Sequence, residues 1–81
     1  MTEENRRNLQ KIARDMAEDA KVSVRSIRSE FHKIIQKAKT DKIESEDLIK
    51  SYEEELQKAV DITNKTIDEV SKSKEEEVMK V

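Results

Sequence analysis

The chain has 81 residues, of which 44% are Asp, Glu, Lys or Arg, 33% are apolar and only two are aromatic. It contains no Gly, Pro, Cys or Trp, which excludes disulfides, thiolate nucleophiles, zinc ribbons and glycine-rich phosphate loops. The absence of Gly also excludes tight turns with a positive φ angle, because a Cβ atom clashes there. No apolar run suits a membrane span or a secretory signal. Such a chain is one small domain, either helical or disordered.

Helical periodicity favours helix over the first half of the chain. Apolar side chains recur at steps of three or four from Leu9 to Ala38, close to the ~3.6 residues of an α-helical turn. Thr2 is a suitable N-cap, and Glu3 follows where the helix dipole favours an acidic side chain. The pattern predicts one helix from about residue 3 to about residue 39.

The apolar pattern is interrupted at about residues 40–45, which predicts a turn. Ser45 is a second N-cap, and helical spacing resumes at Ile49. A second helix is therefore predicted from about residue 46 to about residue 79. So short a connection makes the helices antiparallel neighbours. The predicted fold class is all-α, with a single helical-hairpin domain over residues 1–81.

Two helices alone are expected to leave apolar surface uncovered. The stripe on the first helix spans roughly 80–120°, which is more than a two-helix seam needs. Chains of this size also seldom bury enough surface to offset their conformational entropy. We therefore expect a further helical face to be filled, either by self-association into a four-helix bundle or by another helix, as in a three-helix bundle. A partly frayed monomer is the alternative.

Charge is divided unequally between the two halves. Residues 1–40 have ten Lys or Arg against six Asp or Glu, a net charge of +4, whereas residues 41–81 have seven against thirteen, a net charge of −6. At about 100° per residue, an arc of roughly 60° on the first helix carries six Arg, Lys or His side chains, on the side away from the apolar stripe. They are Arg7, Arg14, Lys21, Arg25, Arg28 and His32.

This basic line has two interpretations. It matches a phosphate backbone, because Arg presents a planar fork of donors to phosphate oxygens. No aromatic residues alternate with these cations, so the chain would recognise an RNA partner through the RNA's phosphate backbone and shape rather than through unstacked bases. In the alternative, Arg25 and Arg28 pair with acidic residues of the second helix, or with Glu18 and Glu30, and only keep the hairpin soluble.

No catalytic arrangement is recognisable in the sequence. His32 is the only histidine, and no nucleophile or carboxylate pair is arranged around it. The consecutive carboxylates at 53–55 splay around their helix and cannot converge on a metal ion. The sequence therefore predicts no enzyme, no metal site and no cofactor.

Four segments form motifs at a characteristic spacing. The first helix reads T-E-E-N-R-R at residues 2–7 and K-V-S-V-R-S-I-R at residues 21–28. The turn reads K-I-E-S-E-D at residues 42–47, and I-D-E at residues 67–69 precedes the ending K-E-E-E-V-M-K-V at residues 74–81. Together they resemble the ribosome recycling factor family, in unbroken register across nearly the whole chain.

The resemblance implies the second and third helices of a three-helix bundle, without the family's first helix and inserted β domain. It implies a translation factor that acts after termination, binds large-subunit rRNA and, with elongation factor G and GTP, splits the ribosome. A cytoplasmic location is expected, of bacterial type or in an organelle. By itself the chain is expected to be inactive in recycling.

The basic arc and the resemblance together predict an RNA-binding set of Arg7, Arg14, Lys21, Arg25 and Arg28. Arg28 matches the family arginine regarded as critical for contact with rRNA, and Arg25 matches its neighbour one turn earlier. Three positions depart from the family pattern, namely Ser29, Glu30 and Phe31. The rival hypothesis is a helical-hairpin oligomerisation or scaffold module with no nucleic-acid role. Both hypotheses are compatible with a homodimer.

Overall fold

The computed structural model describes residues 2–80; Met1 and Val81, the last residue of the closing motif, lie outside the described residues. It contains two helices, α1 (Glu3–Thr40) and α2 (Glu46–Met79), and no strand among those residues. The helices pack side by side and run antiparallel, and their Cα atoms span 60 × 15 × 8 Å. The predicted all-α hairpin is confirmed.

Side-chain caps begin both helices. Oγ1 of Thr2 accepts a hydrogen bond from the N–H of Asn5 at 3.1 Å, and Oγ of Ser45 accepts one from the N–H of Leu48 at 3.2 Å. Each bond satisfies a first-turn N–H that has no partner within its helix. Both caps are those that the sequence indicates. At its other end α1 continues to Thr40, one residue beyond the predicted end.

The turn after α1 is a Schellman motif with Lys42 in the left-handed backbone region, at a φ of 54°. The N–H of Ile43 donates to the carbonyl of Ala38 at 3.0 Å, and that of Lys42 donates to the carbonyl of Lys39 at 3.2 Å. The expectation that a chain without Gly has no positive-φ turn is therefore wrong. The left-handed conformation costs a non-Gly residue roughly 1 kcal/mol, and the two carbonyls satisfied at the helix end offset that cost.

The seam between the helices is thin. Only Ile49 (3% exposed) and Val60 (9% exposed) are buried among the described residues, and both belong to α2. The seam-facing side chains of α1 include Ala13, Ala17 and Ala20, which are half-buried and small. Small residues let the helix backbones approach, but they bury little apolar area. The hairpin therefore has a much smaller core than its apolar content could supply.

An open apolar groove runs along one side of this seam. Its edges include Leu9, Ile12 and Met16 on α1 and Thr66, Val70 and Lys74 on α2. The three apolar α1 side chains and Val70 are all exposed. The expectation that two helices leave an apolar face uncovered is confirmed within residues 2–80. We refer to this surface as the apolar groove.

Candidate nucleic-acid interface

Polar contacts follow the other edge of the seam, away from the apolar groove. Nη1 of Arg14 lies 3.7 Å from Oε2 of Glu75, and Nζ of Lys21 lies 2.5 Å from Oδ1 of Asp68. Arg14 and Met16 are about 160° apart around α1 at 100° per residue. The basic line and the apolar groove therefore lie on opposite sides of the hairpin.

Arg28 continues this line with a neutral partner. Its Nε donates to Oε1 of Gln57 at 3.0 Å, and Nε2 of Gln57 donates to Oδ1 of Asp61 at 2.9 Å. The Gln57 amide is thus fixed at both ends, with its oxygen directed at the guanidinium. Because the acceptor carries no charge, Arg28 is oriented while its positive charge is not neutralised by an ion pair.

A seven-residue spacing explains why three cations reach the second helix. Arg14, Lys21 and Arg28 lie two helical turns apart in succession, so they return to the same edge of a packed helix pair. Their partners Glu75, Asp68 and Gln57 follow one another along α2 at intervals of seven and eleven residues. The sequence predicts that the basic arc lies on the side of α1 away from the apolar stripe. In the structure, these three side chains instead border the seam between the helices.

Arg7 and Arg25 differ from Arg14, Lys21 and Arg28 because neither forms an ion pair or a side-chain hydrogen bond with α2 among the described residues. Nε of Arg7 lies 3.6 Å from Oε1 of Glu3 in its own helix, and both side chains are largely exposed. Arg25 is exposed and forms no ion pair or side-chain hydrogen bond with residues 2–80. An exposed pair within one helix contributes only a few tenths of a kcal/mol, about 0.3–0.5. Both arginines therefore remain accessible to an external anion.

Lys21 is the most strongly compensated cation of the line. The hydrogen bond that its ammonium donates to Asp68 raises the pKa of Lys21, partial desolvation opposes that rise, and attraction to Asp68 and Glu18 adds to it. Nζ also lies 3.8 Å from Oε1 of Glu18. Two carboxylates therefore share this ammonium, which leaves it little net field for a phosphate.

The predicted RNA-binding residues differ in how far a neighbouring carboxylate neutralises their charge. Among residues 2–80 neither Arg25 nor Arg28 forms an ion pair, since the carboxylates of α2 pair with Arg14 and Lys21 instead; the alternative in which these arginines only keep the hairpin soluble stays a prediction. Sequence reasoning did not find Gln57, because its role depends on the register between the helices. The available signal was the seven-residue spacing of three cations, which marks the edge of a helix pair.

Other kinds of site are not found among residues 2–80. No group of three or more His, Cys, Asp or Glu side chains comes together as a metal site. Of the consecutive carboxylates at 53–55, Glu53 accepts a hydrogen bond from Gln36 across the seam, and the other two are exposed. Over the same residues, neither helix is long and apolar enough to cross a membrane.

Comparison with known proteins decides the family. The family model for ribosome recycling factor matches residues 1–79. The chain belongs to the ribosome recycling factor family. Ribosome-recycling factors of Helicobacter hepaticus, Carboxydothermus hydrogenoformans and Caulobacter sp. are 47%, 41% and 44% identical to it over 81 residues. The resemblance carried by the four motifs is confirmed.

The match to the ribosome recycling factor family covers only part of the relatives' length. The matches cover 100% of the chain but only 44%, 44% and 43% of those three relatives. The chain therefore spans less than half the length of the relatives that it matches. No solved structure matches the hairpin. Its three departures from the family pattern, Ser29, Glu30 and Phe31, all lie in exposed positions on α1.

Proposed function

We propose that this chain is the rRNA-binding helical hairpin of a ribosome recycling factor and contacts the large subunit through the basic side of α1. Arg25 and Arg28 are the principal contacts, with Arg7 next, while Arg14 and Lys21 contribute less. The observation that carries the proposal is the arrangement at Arg28. A neutral amide orients its guanidinium, and the adjacent Arg25 has no carboxylate partner among the described residues.

The physical argument starts from the donors that Arg28 keeps. Only its Nε–H is directed at Gln57, so the two terminal nitrogens can form a bidentate contact with a phosphate. Fixing the side chain beforehand lowers the conformational entropy lost on binding. Arg25 lies one turn away, a rise of roughly 4.5 Å. The pair therefore offers two adjacent contacts to a phosphate backbone.

The proposed role is mechanical and does not involve catalysis by this chain. The relatives are named ribosome-recycling factors, and the hairpin would anchor such a factor on rRNA in the cytoplasm or in an organelle. Elongation factor G would act, with GTP, on parts of the full-length factor that these 81 residues do not span. We therefore expect the isolated chain to bind the large subunit but not to split ribosomes. Splitting by the isolated chain with elongation factor G would contradict this expectation.

Binding to isolated large ribosomal subunits tests the proposal. Arg28→Ala should weaken binding about five- to tenfold, the effect of losing roughly 1 kcal/mol of phosphate contact. Lys33→Ala is the matched control, because Lys33 is exposed on α1 and lies outside the basic line; it should change binding less than twofold. Circular dichroism should show unchanged helicity in both variants. Unchanged binding by Arg28→Ala, or binding lost together with helicity, would contradict the proposal.

An assembly module without a nucleic-acid role is the second candidate, and the apolar groove favours it. Salt dependence separates the two functions. Binding to phosphates weakens steeply as counterions are added, because each neutralised phosphate releases bound cations. Association through apolar side chains responds little to the same change. Large-subunit binding that does not vary with salt would favour the assembly module.

A further inference from the structure

Asn64 is a polar side chain in the seam that the proposed function does not use. It belongs to α2 and is half-buried. Its Oδ1 is buried, yet it accepts no hydrogen bond from any of residues 2–80, and no other buried side-chain oxygen or nitrogen in that range lacks a partner. An acceptor that is removed from water without gaining a donor costs free energy. The position therefore favours a donor that can reach it.

Two polar contacts between the helices enclose Asn64 on α2. Four residues after it, Asp68 contacts Nζ of Lys21, and seven residues before it, Gln57 accepts a hydrogen bond from Nε of Arg28. Asn64 therefore lies opposite the part of α1 between Lys21 and Arg28. A spacing of seven residues also returns to the same edge of a packed helix pair, so Asn64 repeats the position of the amide that orients Arg28.

Arg25 is the cation that can supply the missing donor. Lys21 is engaged by the carboxylate of Asp68, one helical turn beyond Asn64. Arg28 is bound to its own amide, which lies a rise of about 10.5 Å away along α2. Between those two cations on α1, Arg25 is exposed and forms no ion pair or side-chain hydrogen bond with residues 2–80. Its long side chain carries five N–H donors.

We propose that Asn64 is a positioning residue for the rRNA contact: when the chain binds the large subunit, the guanidinium of Arg25 donates to Oδ1 of Asn64 and directs its remaining N–H groups at phosphate. This inference rests on the proposed function and adds a seam residue to it. Arg25 and Arg28 are then held in the same way, each by a neutral amide of α2. Because neither amide carries a charge, both guanidiniums keep their attraction for phosphate.

The phosphate explains why Arg25 takes up this position in the complex. Ordering a long side chain costs conformational entropy, and a single hydrogen bond to an amide competes with water in the free chain. In the complex, one ordering step supports the bond to Asn64 together with charge-assisted bonds to phosphate. The amide therefore lowers the additional cost of fixing Arg25 against RNA.

Replacing Asn64 by Leu separates positioning from packing. Leu has a similar shape but no acceptor, so the unsatisfied oxygen disappears from the seam. The urea midpoint of Asn64→Leu, followed by circular dichroism, should equal or exceed that of the unsubstituted chain. Its binding to isolated large ribosomal subunits at one salt concentration should nevertheless weaken about three- to tenfold, the effect of one hydrogen bond. A residue that only packs in the seam would leave binding unchanged, and that result would overturn the inference.

Two further variants control for the substitution itself. Thr63→Val removes a polar group from the neighbouring residue of α2, whose exposed hydroxyl donates to the carbonyl of Ala59 at 2.8 Å; binding should change less than about twofold. Asn64→Gln keeps an amide, the group that already orients Arg28 from position 57, and should restore binding to within about twofold of the unsubstituted chain. Equal losses for Asn64→Gln and Asn64→Leu would contradict a role for the amide.

A double-mutant cycle identifies the side chain through which Asn64 acts. In an Arg25→Ala background, Asn64→Leu should cause no further loss of large-subunit binding, whereas in an Arg28→Ala background it should keep its full effect. A full effect in the Arg25→Ala background would overturn the inference. Binding that Arg25→Ala weakens but Asn64→Leu does not would overturn the inference alone, whereas binding unchanged by both Arg25→Ala and Arg28→Ala would overturn the proposed function.

Discussion

Ile49 should contribute more to the stability of the hairpin than any other described side chain. It is 3% exposed and lies in the first turn of α2, where its N–H donates to the carbonyl of the capping residue Ser45 at 3.0 Å. Ile49→Ala should cost about 2–4 kcal/mol, because it removes buried methyl groups and leaves a cavity. A single core of this size seldom supplies more than about 3–5 kcal/mol. The substitution should therefore remove most of the stability.

Urea unfolding followed by circular dichroism measures this effect. Ile62→Ala is the matched control, because Ile62 belongs to the same helix and is 64% exposed; it should cost less than about 0.5 kcal/mol. Both variants must be compared with the unsubstituted chain at one protein concentration, since self-association would make the stability depend on concentration. Equal losses for Ile49→Ala and Ile62→Ala would refute the seam that the structure describes.

Three further predictions concern the turn and the basic line. Lys42→Gly should raise the free energy of unfolding by about 0.5–1 kcal/mol, because Gly adopts the left-handed conformation without the Cβ clash; a loss of stability would contradict the role given to Lys42. Gln57→Glu should weaken large-subunit binding more than Gln57→Ala does, because a carboxylate would neutralise Arg28 as well as orient it; the reverse order would refute the neutral-acceptor argument. The pKa of Lys21 is raised above 10.5 in the folded chain, so its contribution to stability is complete below that pH and is lost as the pH rises through the folded pKa. The stability difference between the unsubstituted chain and Lys21→Arg should therefore change above pH 10.5, and parallel pH curves would argue against the Lys21–Asp68 contact.

The helices and their caps could be predicted because local rules specify them. Spacing of three to four residues from Leu9 onward indicates a helix, and Thr2 and Ser45 are side chains that satisfy first-turn N–H groups. The uncovered apolar face could also be predicted from the sequence, because an apolar stripe wider than a two-helix seam cannot be buried completely in that seam. These features depend on residues that are close together in the chain.

Features set by the register between the helices could not be predicted in the same way. Gln57 becomes the partner of Arg28 only because α2 folds back at one particular level, 29 residues along the chain. The left-handed Lys42 was missed because composition indicates a preference, whereas two hydrogen bonds at the helix end outweighed it. The identity of the buried pair, Ile49 and Val60, likewise depends on how two stripes meet.

The salt dependence of large-subunit binding tests the central claim most directly. If three to five cations contact phosphates, the logarithm of the association constant should fall with the logarithm of salt concentration with a slope of about −2 to −4.5. Arg25→Ala and Arg28→Ala should each make that slope shallower by about 0.7–0.9. Arg14→Ala should change it less, because Glu75 already neutralises Arg14. A slope near zero, or slopes unchanged by Arg25→Ala and Arg28→Ala, would contradict rRNA binding through the basic side of α1.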